Sequence, residues 1–140
     1  MILHFNYEEL TALRAGARVF LDREEPGRGR VLAPSEEEVQ VEALLTRLVG
    51  DISVDTLEEL RDVQMAVSAI VECLRVEMES LVTATHAAHE TAVAAYFEFA
   101  HAFTVARRLD ETASEMAALI ELMTGEPPTP ESSRSFQFPD

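Results

Sequence analysis

One long stretch without a helix breaker constrains this chain more than any other feature. Residues 51–124, between Gly50 and Gly125, contain neither glycine nor proline. Most of them are good or neutral helix formers, and glycine and proline are the residues that interrupt helices most strongly. The stretch therefore predicts long helices, and a chain of 140 residues is large enough to bury one core.

The first half of this stretch carries apolar residues at helical spacing. Four of them stand seven residues apart, namely Leu60, Val67, Leu74 and Leu81. Such a heptad seam is typical of helices that pack along one another, and Asp55 or Thr56 provides an N-cap at its start. Small alanine and threonine residues dominate 83–95, where we expect a turn if the stretch folds back. Beyond it, Tyr96, Phe99 and Phe103 belong to a dense aromatic patch.

Cap signals predict further helices on either side. Asn6 with Glu9, and Ser35 with Glu38, match the capping-box pattern at a helix start. A third such pattern at 112–115 predicts a separate last helix, unless one helix continues across 107–112. We therefore predict an all-α domain over residues 1–125. It is an antiparallel helical bundle of four to five helices, with one or two long ones, completed by dimerisation through the seam and the aromatic patch.

The tail, residues 126–140, has a different composition. Four prolines and three serines predict an extended or disordered segment. It nevertheless ends with Phe136 and Phe138 two residues apart, in the form of a short peptide that docks on another protein. We predict these two side chains as the anchors, because aromatic residues supply much of the energy in such contacts.

The charge of the chain limits its partners. The net charge is −15, and all eleven basic residues are arginines. Nucleic-acid binding needs a cluster of cations and is not expected. An acidic protein of this kind could instead act as a regulator that occupies a basic protein surface. Cys73 is the only cysteine, and neither a signal peptide nor a membrane-spanning run is present, so we expect a cytoplasmic protein that does not bind membranes.

A stripe of histidine and glutamate suggests a metal site as an alternative. Its four candidate ligands are His86, Glu90, Glu98 and His101. Glu98 and His101 have the Glu-x-x-His spacing of carboxylate-bridged metal sites in four-helix bundles. Iron, manganese or zinc would suit such ligands, as in a ferritin-like protein. A di-metal site needs two such motifs and the chain has one, although a symmetric dimer could supply the second. In the favoured interpretation we expect no cofactor.

No nucleophile motif accompanies Cys73, and acid–base catalysis by Glu90 or His101 would need a pocket that the sequence does not show. We therefore expect no catalysis. The favoured function is that of a non-catalytic helical interaction or accessory protein, an oligomeric scaffold or adaptor. It would associate with itself through the seam and the aromatic patch, and its tail would reach another protein.

Overall fold

The computed structural model describes residues 1–24, 34–84 and 88–139. Within these ranges the elements are, in chain order, β1 (Ile2–Leu3), α1 (Tyr7–Glu24), α2 (Glu36–Arg47), β2 (Ile52–Ser53), α3 (Leu57–Thr83), α4 (His89–Thr124) and α5 (Pro130–Ser135). The structure is mostly helical, and its only sheet among the described residues is the pair of two-residue strands. The predicted all-α class is thus confirmed.

Three helices begin at the caps that the sequence indicates. The Asn6 side chain accepts from the Glu9 backbone N–H at 2.8 Å, and the Glu9 side chain accepts from the Asn6 N–H at 2.9 Å. Ser35 accepts from the Glu38 N–H at the start of α2, and Thr56 accepts from the Glu59 N–H at the start of α3, both at 3.2 Å. Each cap satisfies a backbone donor that would otherwise have no partner in the helix.

The long stretch without glycine or proline folds as a helical hairpin. α3 ends at Thr83 and α4 begins at His89, so the turn lies inside the predicted range of 83–95. α4 then continues without a break to Thr124, so the alternative of one helix across 107–112 holds and no separate helix starts near residue 112. The Thr112 hydroxyl bonds to the carbonyl of Arg108, one turn earlier, and does not cap a new helix. Gly125 ends α4 with φ of 79°, a conformation that favours glycine.

The four long helices alternate in direction. Five residues separate the end of α3 from the start of α4, and the Gln64 side chain donates to Asp110 at 2.6 Å further along both helices, so α4 runs antiparallel to α3. Glu37 lies beside Cys73, while Arg47 at the other end of α2 lies beside Glu59, so α2 is also antiparallel to α3. α1 contacts all three of the other long helices. The result is an up-down-up-down bundle.

The heptad seam lies inside this bundle. Leu60 and Val67 are fully buried and Leu74 is nearly so, whereas Leu81 is half-buried. The first three pack in the core of their own chain, where a second copy cannot reach them. The prediction that the whole seam joins subunits is therefore corrected: α1, α2 and α4 already cover most of it.

A glycine allows α1 to approach α3 closely. A Cβ atom built on Gly16 would lie 2.5 Å from Cγ2 of Ile70 and 2.9 Å from Cδ1 of Leu74. Ile70 and Leu74 are themselves buried, so neither side chain has open space to move into. Glycine is therefore required at this helix crossing by packing, and not by its backbone freedom.

The tail packs on the base of the bundle. β1 and β2 pair antiparallel, with Ile2 opposite Ser53 and Leu3 opposite Ile52. Just beyond β2, the carbonyl of Asp55 accepts from the backbone N–H of Phe138 at 2.8 Å. The Phe138 side chain is only 7% exposed and belongs to the core.

The tail thus differs from the extended or disordered segment expected from its composition. Thr129 and Ser132 form a reciprocal capping box, and Pro130 occupies the first turn of α5. Proline is favoured at this position because backbone N–H groups in the first turn have no acceptor within the helix, so the N–H that proline lacks is not needed. Phe136 also packs against the core. The two predicted anchors therefore bind their own chain in this structure.

Candidate interaction surface

Three exposed aromatic side chains lie along the first half of α4. Tyr96 is 54% exposed, Phe97 55% and Phe103 44%, and Val93 beside them is 38% exposed. The rings of Tyr96 and Phe97 meet edge to face, with centroids 5.7 Å apart. We call Val93, Tyr96, Phe97 and Phe103 the α4 stripe.

The α4 stripe and the core contacts of α4 lie on different sides of the helix. Buried positions of α4 include Ala95, Ala102, Val105 and Leu109. At 100° per residue, their mean direction is about 170° away from that of the α4 stripe. α4 is therefore apolar on two sides, and only one of them is covered by its own chain.

The side of α4 that carries the α4 stripe stays open because α1 packs on the core side of the helix. α1 meets α4 near its middle, where Arg108 of α4 bonds to Glu9 of α1. From there α1 runs towards the end of α3, where Arg23 bonds to Glu77, and so passes along the first half of α4. Its contacts leave the α4 stripe exposed.

A shallow groove runs along this exposed end. It lies between the end of α3 and the start of α4 and is lined by Val82, His89, Ala92, Val93, Tyr96 and Phe97. Val82 is 63% exposed, so apolar surface continues from α4 onto α3. Of the predicted aromatic interface residues, Tyr96 and Phe103 line the open side. Phe99 is half-buried, packs against the core and stacks on Phe103 at 5.7 Å.

Phe97 and Val82 were not among the predicted interface residues. Phe97 belongs to a run of aromatic residues that point in several directions around the helix, so spacing alone could not show which ring faces outward. Val82 follows Leu81 of the seam and lies in the last turn of α3, where it is 63% exposed. The exposure of these two side chains cannot be predicted without knowing how the helices pack.

The described members of the predicted metal set do not converge. Glu90 is exposed, while Glu98 and His101 are half-buried. Eleven residues of one helix separate Glu90 from His101, or about 16 Å along the axis. His86 lies outside the described residues. Among the described residues, no group of three or more histidine, cysteine, aspartate or glutamate side chains is placed to hold a metal ion.

A partly buried ion pair joins α1 to α4. Arg108 donates from Nη1 to Oε2 of Glu9 at 2.8 Å and from Nη2 to Oε1 at 3.0 Å, and also to the carbonyl of His4. Burial alone would raise the pKa of Glu9, but the hydrogen bonds from Arg108 and Asn6 and the charges of Arg108 and His101 outweigh it and lower that pKa. Glu9 therefore stays ionised, and its role is to hold two helices together.

Acidic side chains gather where α2 meets the start of α3. Partial burial, and then the negative charges of Glu58, Glu36 and Glu59, raise the pKa of Asp62. Like charges this close repel one another, and a positively charged partner would relieve the repulsion. Arg134 lies 4.0 Å from Glu58 at the edge of this face.

Comparison with protein families, with curated proteins and with solved structures finds no match to this chain in any of the three. None of the helices in the described ranges combines the length and the apolar character that crossing a bilayer requires. The function must therefore be argued from the surface itself.

Proposed function

We propose that this chain is a non-catalytic helical interaction protein, an oligomeric scaffold or adaptor, that associates through the α4 stripe. The observation that carries the proposal is the contiguous exposure of Val93, Tyr96, Phe97 and Phe103 beside the groove at Val82. Single exposed apolar residues are ordinary, but a continuous apolar patch rimmed by polar residues is typical of an association surface. Tyrosine and other aromatic residues also contribute strongly at such surfaces.

The tail has a different part in this proposal from the one its sequence suggested. Phe138 is buried against its own core and its backbone bonds to Asp55. A docking role would require the tail to leave this site and expose Phe138. We therefore assign association to α4 and a bracing role at the base of the bundle to the tail.

Sedimentation equilibrium over a range of concentrations tests the proposal. We expect the mass of the native chain to rise with concentration, and Phe97→Asp to shift that rise to higher concentration without loss of helical circular dichroism. Leu122→Asp is the matched control, because Leu122 is 80% exposed on the same helix but far from the α4 stripe. A native chain that stays monomeric at every attainable concentration would count against self-association.

A second candidate function rests on the acidic face around Asp62. We propose that this face binds a basic protein surface, as an acidic regulator would. The raised pKa of Asp62 supports the proposal because, after partial burial, it reflects the nearby negative charges of Glu58, Glu36 and Glu59. Binding to a basic partner should weaken as salt is added, because salt screens exposed charges. Binding that does not change with salt would contradict this function.

Elemental analysis tests the remaining alternative, a metal-binding bundle. Glu98 and His101 are one helical turn apart and half-buried, but two ligands alone make a weak site. We expect the purified protein to contain no stoichiometric iron, manganese or zinc. A stoichiometric metal whose loss follows His101→Ala would establish the alternative.

A further inference from the structure

The outer side of α4 has a second heptad pattern that the fold leaves unused. The exposed or half-buried residues His89, Val93, Tyr96, Ala100, Phe103 and Arg107 follow spacings of four, three, four, three and four. At 100° per residue they fall within about 80° of one another. Alternation of three and four is the spacing of positions a and d, which face a partner helix in a coiled coil.

The size of the side chains favours an antiparallel partner with the same sequence. When two such helices run antiparallel about a two-fold axis near residue 98, Val93 lies opposite the partner's Phe103. Tyr96 then lies opposite the partner's Ala100, so each large ring meets a smaller side chain. A parallel pair would place Tyr96 on Tyr96 and Phe103 on Phe103, while Ala100 would leave a gap. Well-packed interfaces avoid both defects.

The charges favour the same arrangement. Between Glu90 and Asp110 the only acid is Glu98, which is half-buried, although the whole chain carries −15. A second copy can therefore approach this side of α4 with little local repulsion. In the antiparallel register, the Arg107 side chain reaches the partner's His89 and Glu90. Arg107 and Glu90 are exposed, and neither side chain forms an ion pair with any other described residue.

We infer that α4 of this chain pairs antiparallel with α4 of a second copy, with the partner's Phe103 in the groove beside Val82 and Val93. By two-fold symmetry this contact and the contact between Arg107 and the partner's Glu90 each occur twice. The inference rests on the proposed function and specifies its partner and geometry. It assigns Arg107 and Glu90, which the α4 stripe does not include, as the charges that set the register.

Disulfide trapping tests the register. Val93→Cys and Phe103→Cys are made separately in a Cys73→Ala background, mixed in equal amounts and equilibrated in a glutathione redox buffer. The antiparallel pair predicts that the mixed disulfide dominates, because Val93 faces the partner's Phe103. Two Val93 side chains would be about 15 Å apart along the axes, too far for a direct bond.

The outcomes separate the inference from the proposed function. A dominant Val93→Cys homodisulfide, or a dimer by sedimentation that traps neither pair, overturns the antiparallel register but leaves self-association standing. A chain that is monomeric by sedimentation and traps neither pair overturns both. A dimer lost with Leu122→Asp but kept with Phe97→Asp would place the interface elsewhere and overturn the inference as well.

A charge exchange gives an independent test. Glu90→Arg or Arg107→Glu alone should weaken the dimer about tenfold, because each places like charges together at two symmetric positions. The double variant should return to within about twofold of the native affinity. Glu90 and Arg107 are about 25 Å apart along one helix, so such rescue requires contact between copies. Glu42→Arg, on the exposed side of α2, is the control; single variants without effect, or a double variant without rescue, contradict the inference.

Discussion

Four hydrogen bonds tie the Glu9 residue into the junction of α1 and α4. Its carboxylate accepts two from Arg108 and one from the Asn6 backbone, while its own N–H donates to Asn6. The side chain is 4% exposed, whereas that of Arg108 is 45% exposed. The cost of desolvation therefore falls mainly on Glu9, and its hydrogen bonds must offset that cost.

Glu9→Gln should lower the free energy of unfolding at pH 7 by about 2 kcal/mol, because hydrogen bonds to a charged group are lost and Arg108 is left without its counter-charge. The pKa of Glu9 is lowered in the folded state. Its contribution is therefore fully present above the unfolded pKa of about 4.3 and is lost as the pH falls through the lower folded value. Urea unfolding at several pH values should show the free energies of unfolding of the native protein and of Glu9→Gln converging in acid.

Glu8→Gln, at an exposed position in the same turn, is the control and should change stability by a few tenths of a kcal/mol at most. A loss there similar to that of Glu9→Gln would contradict the role assigned to Glu9.

Gly16→Ala should destabilise the fold by about 1–3 kcal/mol, although alanine favours helix by about 1 kcal/mol. The added methyl group would lie 2.5 Å from Ile70, and the helices would have to separate to admit it. Thermal unfolding measures the difference. Gly50→Ala is the matched control, because a Cβ there meets nothing within 4 Å and the change should be nearly neutral. Equal effects at the two glycines would show that close packing at Gly16 does not matter.

Residue-level patterns predicted some of these features and missed others for a physical reason. Asn6, Ser35 and Thr56 were identified as caps because a cap acts within four residues of sequence. The pairing of Glu9 with Arg108 links residues 99 positions apart, and no local pattern contains it. Gly16 lies in the middle of a helix. The sequence alone suggests that glycine destabilises the helix there and does not show that it allows a close contact with α3.

At the scale of elements, α4 and α5 differ most from expectation. The pattern at 112–115 resembles a cap, but α4 continues because Ala113 and Ile120 both face the core and a break would remove one of them. In the tail, composition favoured disorder, yet the Thr129 cap and the burial of Phe138 give α5 enough contacts to form. Local signals were overridden in both places by burial of apolar side chains.

Phe138→Ala should lower the free energy of unfolding by about 3 kcal/mol, the cost typical of deleting a buried phenylalanine ring. The ring is 7% exposed, and the Phe138 N–H anchors the backbone to Asp55. Chemical denaturation followed by circular dichroism gives the measurement. Gln137→Ala, at the exposed neighbour, should leave stability unchanged. If Phe138→Ala were equally harmless, the tail would be free to act as the docking peptide that its sequence suggested.

At the scale of the whole molecule, the chain has more apolar helix surface than one bundle covers. The heptad seam of α3 is used internally, and the outer side of α4 remains exposed. The sequence predicted that some apolar surface would exceed the capacity of one copy, but it could not say which helix carries the excess. That depends on how the four helices pack, which the apolar spacing alone does not show.

The two proposed functions predict opposite responses to salt, because they use the net charge of −15 in opposite ways. Two copies repel each other at long range, and raising the ionic strength from about 0.01 M to about 0.15 M shortens the screening length from about 30 Å to about 8 Å. Self-association through the α4 stripe should therefore tighten severalfold over this range. Salt weakens the few ion pairs at the rim of the stripe, but it weakens the repulsion between whole molecules more. Binding of a basic partner to the face around Asp62 should weaken instead. Sedimentation of the native chain and of Glu42→Arg across the salt series separates the repulsion between whole molecules from the ion pairs. Glu42→Arg reduces the net negative charge, so its dimer affinity at low salt should lie closer to the affinity at high salt. A dimer that loosens with salt would mean that the ion pairs, and not the apolar stripe, hold it together.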